Sequence, residues 1–130
     1  MNKSEKIAYW LEIAEYDLKT AKVMLEGKRY VYVGFMCHQT IEKSLKALYS
    51  NIFNETPPFT HNLLLLAQEC RLIDLMEEFQ IDFLNILQPL NIEARYPAYK
   101  NTIGKNLNLT KAKKLLKDTI QFHKWIKSML

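Results

Sequence analysis

Five of the side chains that could do chemistry in this chain lie in one stretch, residues 30–48. They are His38, Gln39, Glu42, Lys43 and Lys46. Glu42 and Lys46 are four residues apart, in the order that favours an ion pair on a helix. The three charged residues either face solvent or rim a groove between two copies, and a helical histidine such as His38 is more often packed than catalytic. The set specifies no single reaction, so we predict a ligand-binding cluster without a catalytic residue.

A second polar set lies in residues 91–109, the longest segment without a helical pattern. Its candidate ligand-binding residues are Arg95, Tyr96, Tyr99 and Lys100. A guanidinium can bind phosphate or carboxylate through two parallel hydrogen bonds, and Pro97 restricts the backbone beside it. The two tyrosines either stack on a base or pack the loop. Long ordered loops are often functional, so we expect this one to contact a ligand or a partner.

The remaining histidines and the cysteines are assigned structural roles. His61 directly follows Thr60, a predicted helix N-cap, and either tethers the Arg95 loop by a hydrogen bond or joins the ligand site. His123 lies on the inward face of the last helix. No group of residues has the spacing of a zinc site, so we predict neither a metal nor a cofactor. Cys37 and Cys70 both lie in apolar helical patterns and are predicted to be buried, reduced thiols.

Composition bounds the class of protein. The chain has 130 residues, of which 48% are hydrophobic and 25% charged, as expected for one globular domain spanning residues 1–130. The net charge is +4, and residues 110–130 hold six lysines against Asp118 alone. Such a helix attracts phosphate backbones, although it is more often simply solvated. No signal-like or membrane-spanning run is present, so we expect a cytoplasmic protein without a membrane partner.

The elements that position these residues are predicted to be five helices. Apolar residues at spacings of three and four indicate helices over residues 4–26, 30–54 and 61–70. Ser4 is the predicted N-cap of the first helix, and Trp10 belongs to its apolar stripe. A fourth helix follows the predicted N-cap Asp74, with Leu72, Met76, Phe79, Phe83, Leu87 and Leu90 on one face. A fifth begins after the predicted N-cap Thr110. The pattern predicts an all-α, up-and-down bundle in which helices 1, 2 and 5 make the longest contacts.

Helix 2 is predicted to be central, because its apolar residues cover more than half of its circumference. Gly34 lowers helix propensity and is explained by the close approach of another helix or of a second copy. Because one small domain has few helices with which to cover such a surface, we predict a homodimer. Helix 1 is the alternative cover.

Four segments together resemble the HEPN family of small helical domains. They are, in order, WLEIAEYDLKTAKVMLEGKRY, FMCHQTIEKSLKAL, THNL and ARYP. The resemblance implies a single HEPN-like helical domain that forms an up-and-down bundle, usually a homodimer, and binds a nucleotide or RNA. It also implies a partner, a separately encoded minimal nucleotidyltransferase, in an arrangement like a toxin–antitoxin pair.

Many catalytic members of the family carry an arginine followed after four to six residues by a histidine that serves metal-independent RNA cleavage. Here the positions after Arg95 hold Lys100, Asn101 and Thr102, so the histidine is absent. RNA cleavage without a metal needs a group that accepts the 2′-hydroxyl proton near neutral pH. We therefore expect binding rather than catalysis. The alternative is an RNase with an atypical site in which His38 or His61 replaces the missing histidine.

Overall fold

The computed structural model describes residues 1–93 and 107–130, and the regular structure within these ranges is helical. The helices are α1 (Lys3–Glu26), α2 (Tyr30–Phe53), α3 (Leu63–Glu69), a 3₁₀ turn (Ile73–Leu75), α4 (Glu78–Leu87), α5 (Leu90–Glu93) and α6 (Leu109–Lys127). The predicted all-α bundle is confirmed. Five of these helices (α1, α2, α3, α4 and α6) correspond to the five predicted, and the other two elements are short.

The first and third helices begin at different caps from those predicted. Asn2, not Ser4, caps α1: its Oδ1 accepts from the backbone N–H of Glu5 at 2.9 Å. Asn62, not Thr60, caps α3 by accepting from the N–H of Leu65, while the Thr60 hydroxyl accepts from the N–H of Asn62. A cap needs an extended backbone at its own position, and the chain meets this condition at the two asparagines.

The fourth and last helices show the same kind of difference. The N-cap of α4 is Glu77, whose backbone N–H donates to Gln80 Oε1 at 2.9 Å. The predicted cap Asp74 lies instead in the 3₁₀ turn. The N-cap of α6 is Asn108, which accepts from the N–H of Lys111, so the predicted cap Thr110 lies inside the helix.

The core surrounds α2, as predicted. This helix packs against α1 and α6 over the most extensive interfaces of the molecule and also contacts α3, α4 and α5. Its fully buried apolar residues are Val33, Cys37, Ile41, Leu45 and Ala47. Cys37 and Cys70 are both buried free thiols, and burial raises the pKa of each to about 12, so both stay protonated.

Gly34 is explained within the chain. A Cβ at this position would lie 2.9 Å from Leu90 Cδ1 and 3.3 Å from Leu107 Cδ2. The close approach is therefore made by residues on either side of segment 94–106, and no second copy is needed for it. The apolar surface of α2 is likewise covered by helices of the same chain. These two arguments for a homodimer are therefore removed, and the homodimer itself stays a prediction.

Within the two described ranges, no helix is long and apolar enough to cross a membrane.

Candidate functional site

The polar residues of α2 converge on one buried carboxylate. Glu42 has no exposed side-chain surface and accepts from three donors: Lys43 Nζ at 2.6 Å, Lys46 Nζ at 3.2 Å and His61 Nδ1 at 2.6 Å. Burial raises the pKa of Glu42, but the hydrogen bonds from Lys43 and His61 outweigh it, so the net pKa lies below its usual value. Glu42 is thus a buried anion that holds three cationic or donor groups. We call these four residues the Glu42 cluster.

Helix α1 supplies the other wall of the cluster. The ammonium groups of Lys46 and Lys43 lie 5.3 Å and 5.8 Å from the ring centroid of Trp10, within the range of a cation–π interaction. Asp17, half-buried on the same helix, has its pKa raised by burial, with the charge of Lys43 opposing the rise. The lysines are therefore held between a carboxylate on α2 and an aromatic face on α1.

Among the four residues of the Glu42 cluster, His61 has the most exposed side chain, and its hydrogen bond to Glu42 fixes the orientation of its ring. Its Nδ1 faces an ionised carboxylate, which can only accept, so Nδ1 carries the hydrogen. The other ring nitrogen, Nε2, is then left for a ligand or for proton transfer. The side chain is 52% exposed. A histidine that is oriented by a buried carboxylate and reachable from solvent suits both anion binding and general acid–base chemistry.

His38 anchors the backbone of His61 instead of acting on a ligand. Its Nε2 donates to the carbonyl oxygen of His61 at 3.1 Å, and Gln88 Nε2 donates to the same oxygen at 3.0 Å. Gln88 Oε1 also accepts from the N–H of Leu63. His38 is fully buried, and burial lowers its pKa to about 4, so the ring is neutral at pH 7. His61 is thereby tied to both α2 and α4.

The structure thus brings together five of the predicted site residues: His38, Glu42, Lys43, Lys46 and His61. The predicted Glu42–Lys46 ion pair is confirmed, but Glu42 and Lys46 neither face solvent nor rim a groove, because both are buried. Gln39 is also buried and takes no part in the hydrogen bonds of the cluster described above.

The other predicted site residues, Arg95, Tyr96, Tyr99 and Lys100, lie outside the described residues. The proposed tether between His61 and the Arg95 loop, and the distance from either histidine to Arg95, therefore stay untested.

Sequence analysis missed two contributors. Trp10 was predicted only as part of the apolar stripe of helix 1, and Gln88 was not singled out. No pattern of neighbouring residues in the sequence indicates these contacts. Trp10 on α1 contacts Lys43 and Lys46 on α2, and Gln88 contacts His61, which is 27 residues away in sequence.

A second histidine lies between a serine and a glutamate, as in a catalytic triad, but the three residues lack the hydrogen bonds that a triad needs. Ser44 Oγ lies 2.6 Å from His123 Nδ1, and His123 Nε2 lies 3.8 Å from Glu15 Oε2, too far for a hydrogen bond. Ser44 also donates its one proton to the carbonyl oxygen of Thr40 at 2.7 Å, so His123 must donate to Ser44. Ser44 is buried and its oxygen is not activated by a base. The inward position predicted for His123 is confirmed, since its side chain is buried.

The part of the chain that the structure describes contains no group of three or more His, Cys, Asp or Glu residues arranged to hold a metal ion.

Comparisons with known proteins bear on the fold and the family. The model of the HEPN domain matches residues 7–129. The crystal structure of TT1696 from Thermus thermophilus superposes with a TM-score of 0.81 at 20% sequence identity, covering 96% of this chain and 98% of that one. At this identity the likeness shows a shared fold. No curated protein matches the chain in sequence.

Proposed function

Because this chain belongs to the HEPN domain family, we propose that it is a helical module that binds the phosphate of a nucleotide or of RNA. In this proposal it works as a homodimer beside a separately encoded minimal nucleotidyltransferase. The observation that carries the binding function is the Glu42 cluster, in which a solvent-accessible imidazole is oriented at 2.6 Å by a buried carboxylate.

The charges around this imidazole support anion binding. Two ammonium groups share the single carboxylate of Glu42, so these three groups leave an excess of one positive charge. Asp17 is the acid that faces them, and its burial disfavours its charged form. The six lysines of residues 110–130 add a wider positive field, and all six are exposed. Such a field draws in phosphates and makes their affinity depend on salt.

Arg95 is the residue whose replacement tests the proposal most directly. We expect Arg95→Ala to weaken the binding of a labelled mononucleotide or a short single-stranded RNA by roughly 1.5–3 kcal/mol, the scale of a charge-assisted hydrogen bond. The melting temperature should stay nearly unchanged. Fluorescence anisotropy and thermal unfolding measure the two quantities. The matched control is Arg29→Ala, an exposed arginine between α1 and α2, which should leave binding intact.

The opposite pattern, a lower melting temperature with binding intact, would make Arg95 a structural residue. Arg95→Lys separates an oriented site from a diffuse field, because lysine keeps the charge but loses the planar donor pair. If lysine restores full affinity, the site is a diffuse positive patch.

A second candidate function, RNA cleavage without a metal, is favoured by one specific observation. His61 has an oriented imidazole with Nε2 left over. His38 is a poor candidate base, because it is fully buried and burial lowers its pKa to about 4. In such a reaction Nε2 of His61 takes the 2′-hydroxyl proton, and the 2′-oxygen bonds to phosphorus to give a 2′,3′-cyclic phosphate. The bond from phosphorus to the 5′-oxygen breaks, and that oxygen leaves as a hydroxyl with a proton from water. Incubation of a labelled RNA with EDTA tests this. Cleavage that His61→Gln abolishes and that His123→Gln retains would establish it.

The partner is tested by affinity capture of the tagged chain from the native lysate, with bound nucleotides and co-purifying proteins identified together. Recovery of a nucleotidyltransferase supports the proposed pairing. If the tagged chain is recovered in good yield and no nucleotidyltransferase co-purifies with it, the result argues against the proposed pairing.

A further inference from the structure

A groove of about 720 Å³ lies between α4 and α6. Its buried lining includes Phe83, Leu115 and Phe122. The rings of Phe83 and Phe122 are 5.7 Å apart, and Trp125 meets Phe122 edge-on at 5.5 Å. The groove is thus an aromatic-lined hollow that is large enough to receive several side chains.

Two large apolar side chains stand exposed beside this hollow. Phe79 is 64% exposed and Ile86 is 60% exposed, and both line the groove from α4. They are seven residues apart, close to two helical turns, so they project from one face of the helix. Phe79 lines the same groove as Phe83, as their predicted common face implies, but Phe79 is exposed whereas Phe83 is buried. A surface that offers both projecting apolar groups and an apolar hollow is typical of an interaction site.

The rims of the groove carry opposite charges. Asp82 lies on α4 between the two exposed apolar residues, and Lys111 and Lys114 lie on α6. Lys114 is paired with Asp118 at 2.7 Å, whereas Lys111 has no carboxylate partner among the residues that the structure describes. Under a two-fold axis, the α4 rim of one copy faces the α6 rim of the other, so unlike charges meet.

From these features we infer that the α4–α6 groove is the face through which two copies of this chain associate. Phe79 and Ile86 of each copy enter the hollow of the other, and Asp82 of each meets Lys111 of the other. The projecting groups, the hollow and both charges lie on one patch, which is the requirement for a self-complementary interface. The inference rests on the homodimer of the proposed function and gives that homodimer its interface.

The first test compares two matched substitutions. Ile86→Glu places a carboxylate in the interface and should raise the dimer dissociation constant at least about 100-fold, as for a residue at the centre of an interface. Val23→Glu makes a similar change on α1, where the side chain is 58% exposed, and should leave the constant unchanged. Sedimentation velocity over a concentration series measures the mass against 15.4 kDa for one chain.

The second test uses charge exchange between chains. Asp82→Lys and Lys111→Glu each bring like charges together across the two-fold axis, so each variant alone should be monomeric. Mixed in equal amounts, they should form a heterodimer, because both cross-pairs are then of opposite charge. Rescue on mixing requires the two rims to meet in different copies, so an ion pair within one chain cannot produce it.

Each other outcome overturns the inference. A dimeric wild type whose Ile86→Glu variant is also dimeric means that the interface lies elsewhere, while the homodimer of the proposed function stands. If the wild type is monomeric, the homodimer of the proposed function is wrong as well. A lower melting temperature of Ile86→Glu would then show that residues of the same chain cover the groove. Nucleotide binding by the same samples is measured in parallel, so the proposed anion site is tested separately from the proposed dimer interface.

Discussion

Glu42 and His38 hold His61 in opposite ways, one through its side chain and the other through its backbone. Glu42 is charged and accepts from the His61 ring, whereas His38 is neutral and donates to the His61 carbonyl oxygen. A buried carboxylate is tolerated because three donors surround it, and a buried histidine is tolerated because it stays uncharged. Both conditions fail on acidification, which makes the stability of the site depend on pH.

The contribution of His38 to this dependence can be isolated. Its pKa is about 4 when folded, against an ordinary value of 6.5, so between these values the unfolded chain binds the extra proton. Stability therefore falls as the pH drops from 6.5 towards 4, by up to about 3 kcal/mol from this residue. His38→Gln keeps a donor for the His61 carbonyl and should remove that part of the slope. Urea unfolding at several pH values measures it.

The control is His61→Gln, which leaves the buried imidazole of His38 in place and should keep the slope that His38 contributes. An unchanged slope in His38→Gln would mean that His38 is protonated in the folded state, contrary to its burial.

At the scale of elements, helical spacing was sufficient to find every long helix, but it failed where the backbone changes type. The apolar series Leu72, Met76, Phe79 and Phe83 suggested one continuous helix. In the structure Met76 is extended, with φ −85° and ψ 139°, and separates a 3₁₀ turn from α4. Helix α4 begins only after this break, so Phe79 lies in its first turn and is 64% exposed, although it is four residues from the buried Phe83.

The sequence predicted those contacts of the candidate site that join residues close together in the chain, and it did not predict the others. The Glu42–Lys46 pair lies within one helix and follows from a spacing of four. The bond from His61 to Glu42 joins residues 19 apart in sequence, so no local pattern indicates it. The same holds for the caps, since Asn2 and Ser4 both have suitable side chains and tertiary context selects between them.

Gly34 supplies a prediction about the packing of α2 against the chain around residues 90 and 107. Gly34→Val places branched carbons where a Cβ alone would already lie 2.9 Å from Leu90 Cδ1. Overpacking of this kind costs typically about 1–3 kcal/mol. Gly27→Ala is the control, because its Cβ would meet nothing nearer than 3.5 Å. Denaturant unfolding of the two variants should show a loss of stability for Gly34→Val alone. Equal stability would show that Leu90 moves aside without cost.

At the scale of the whole molecule, the distribution of charge decides where a phosphate is attracted. The net charge of +4 arises from the last helix, since residues 110–130 alone carry +5. Lys114 and Lys127 are partly neutralised by Asp118 and Glu15, at 2.7 Å and 3.1 Å. Among the ion pairs of the described residues, Lys111, Lys113, Lys117 and Lys124 have no carboxylate partner, and all four are exposed. Lys113 and Lys117 lie four residues apart on one face of α6, so they can act together on one phosphate chain.

If the proposed phosphate binding extends along α6, replacing Lys113 and Lys117 by Gln should weaken the binding of single-stranded RNA and flatten its salt dependence. Each phosphate contact contributes about 0.7 to the slope of log affinity against log salt, so the loss should be about 1.4. Lys3 and Lys19, exposed on α1, provide the control pair. Substituting them lowers the net charge equally but should leave the slope unchanged if the field is local to α6. Equal losses in both double variants would show that only the total charge matters, and that α6 is a solvated helix face without a binding role.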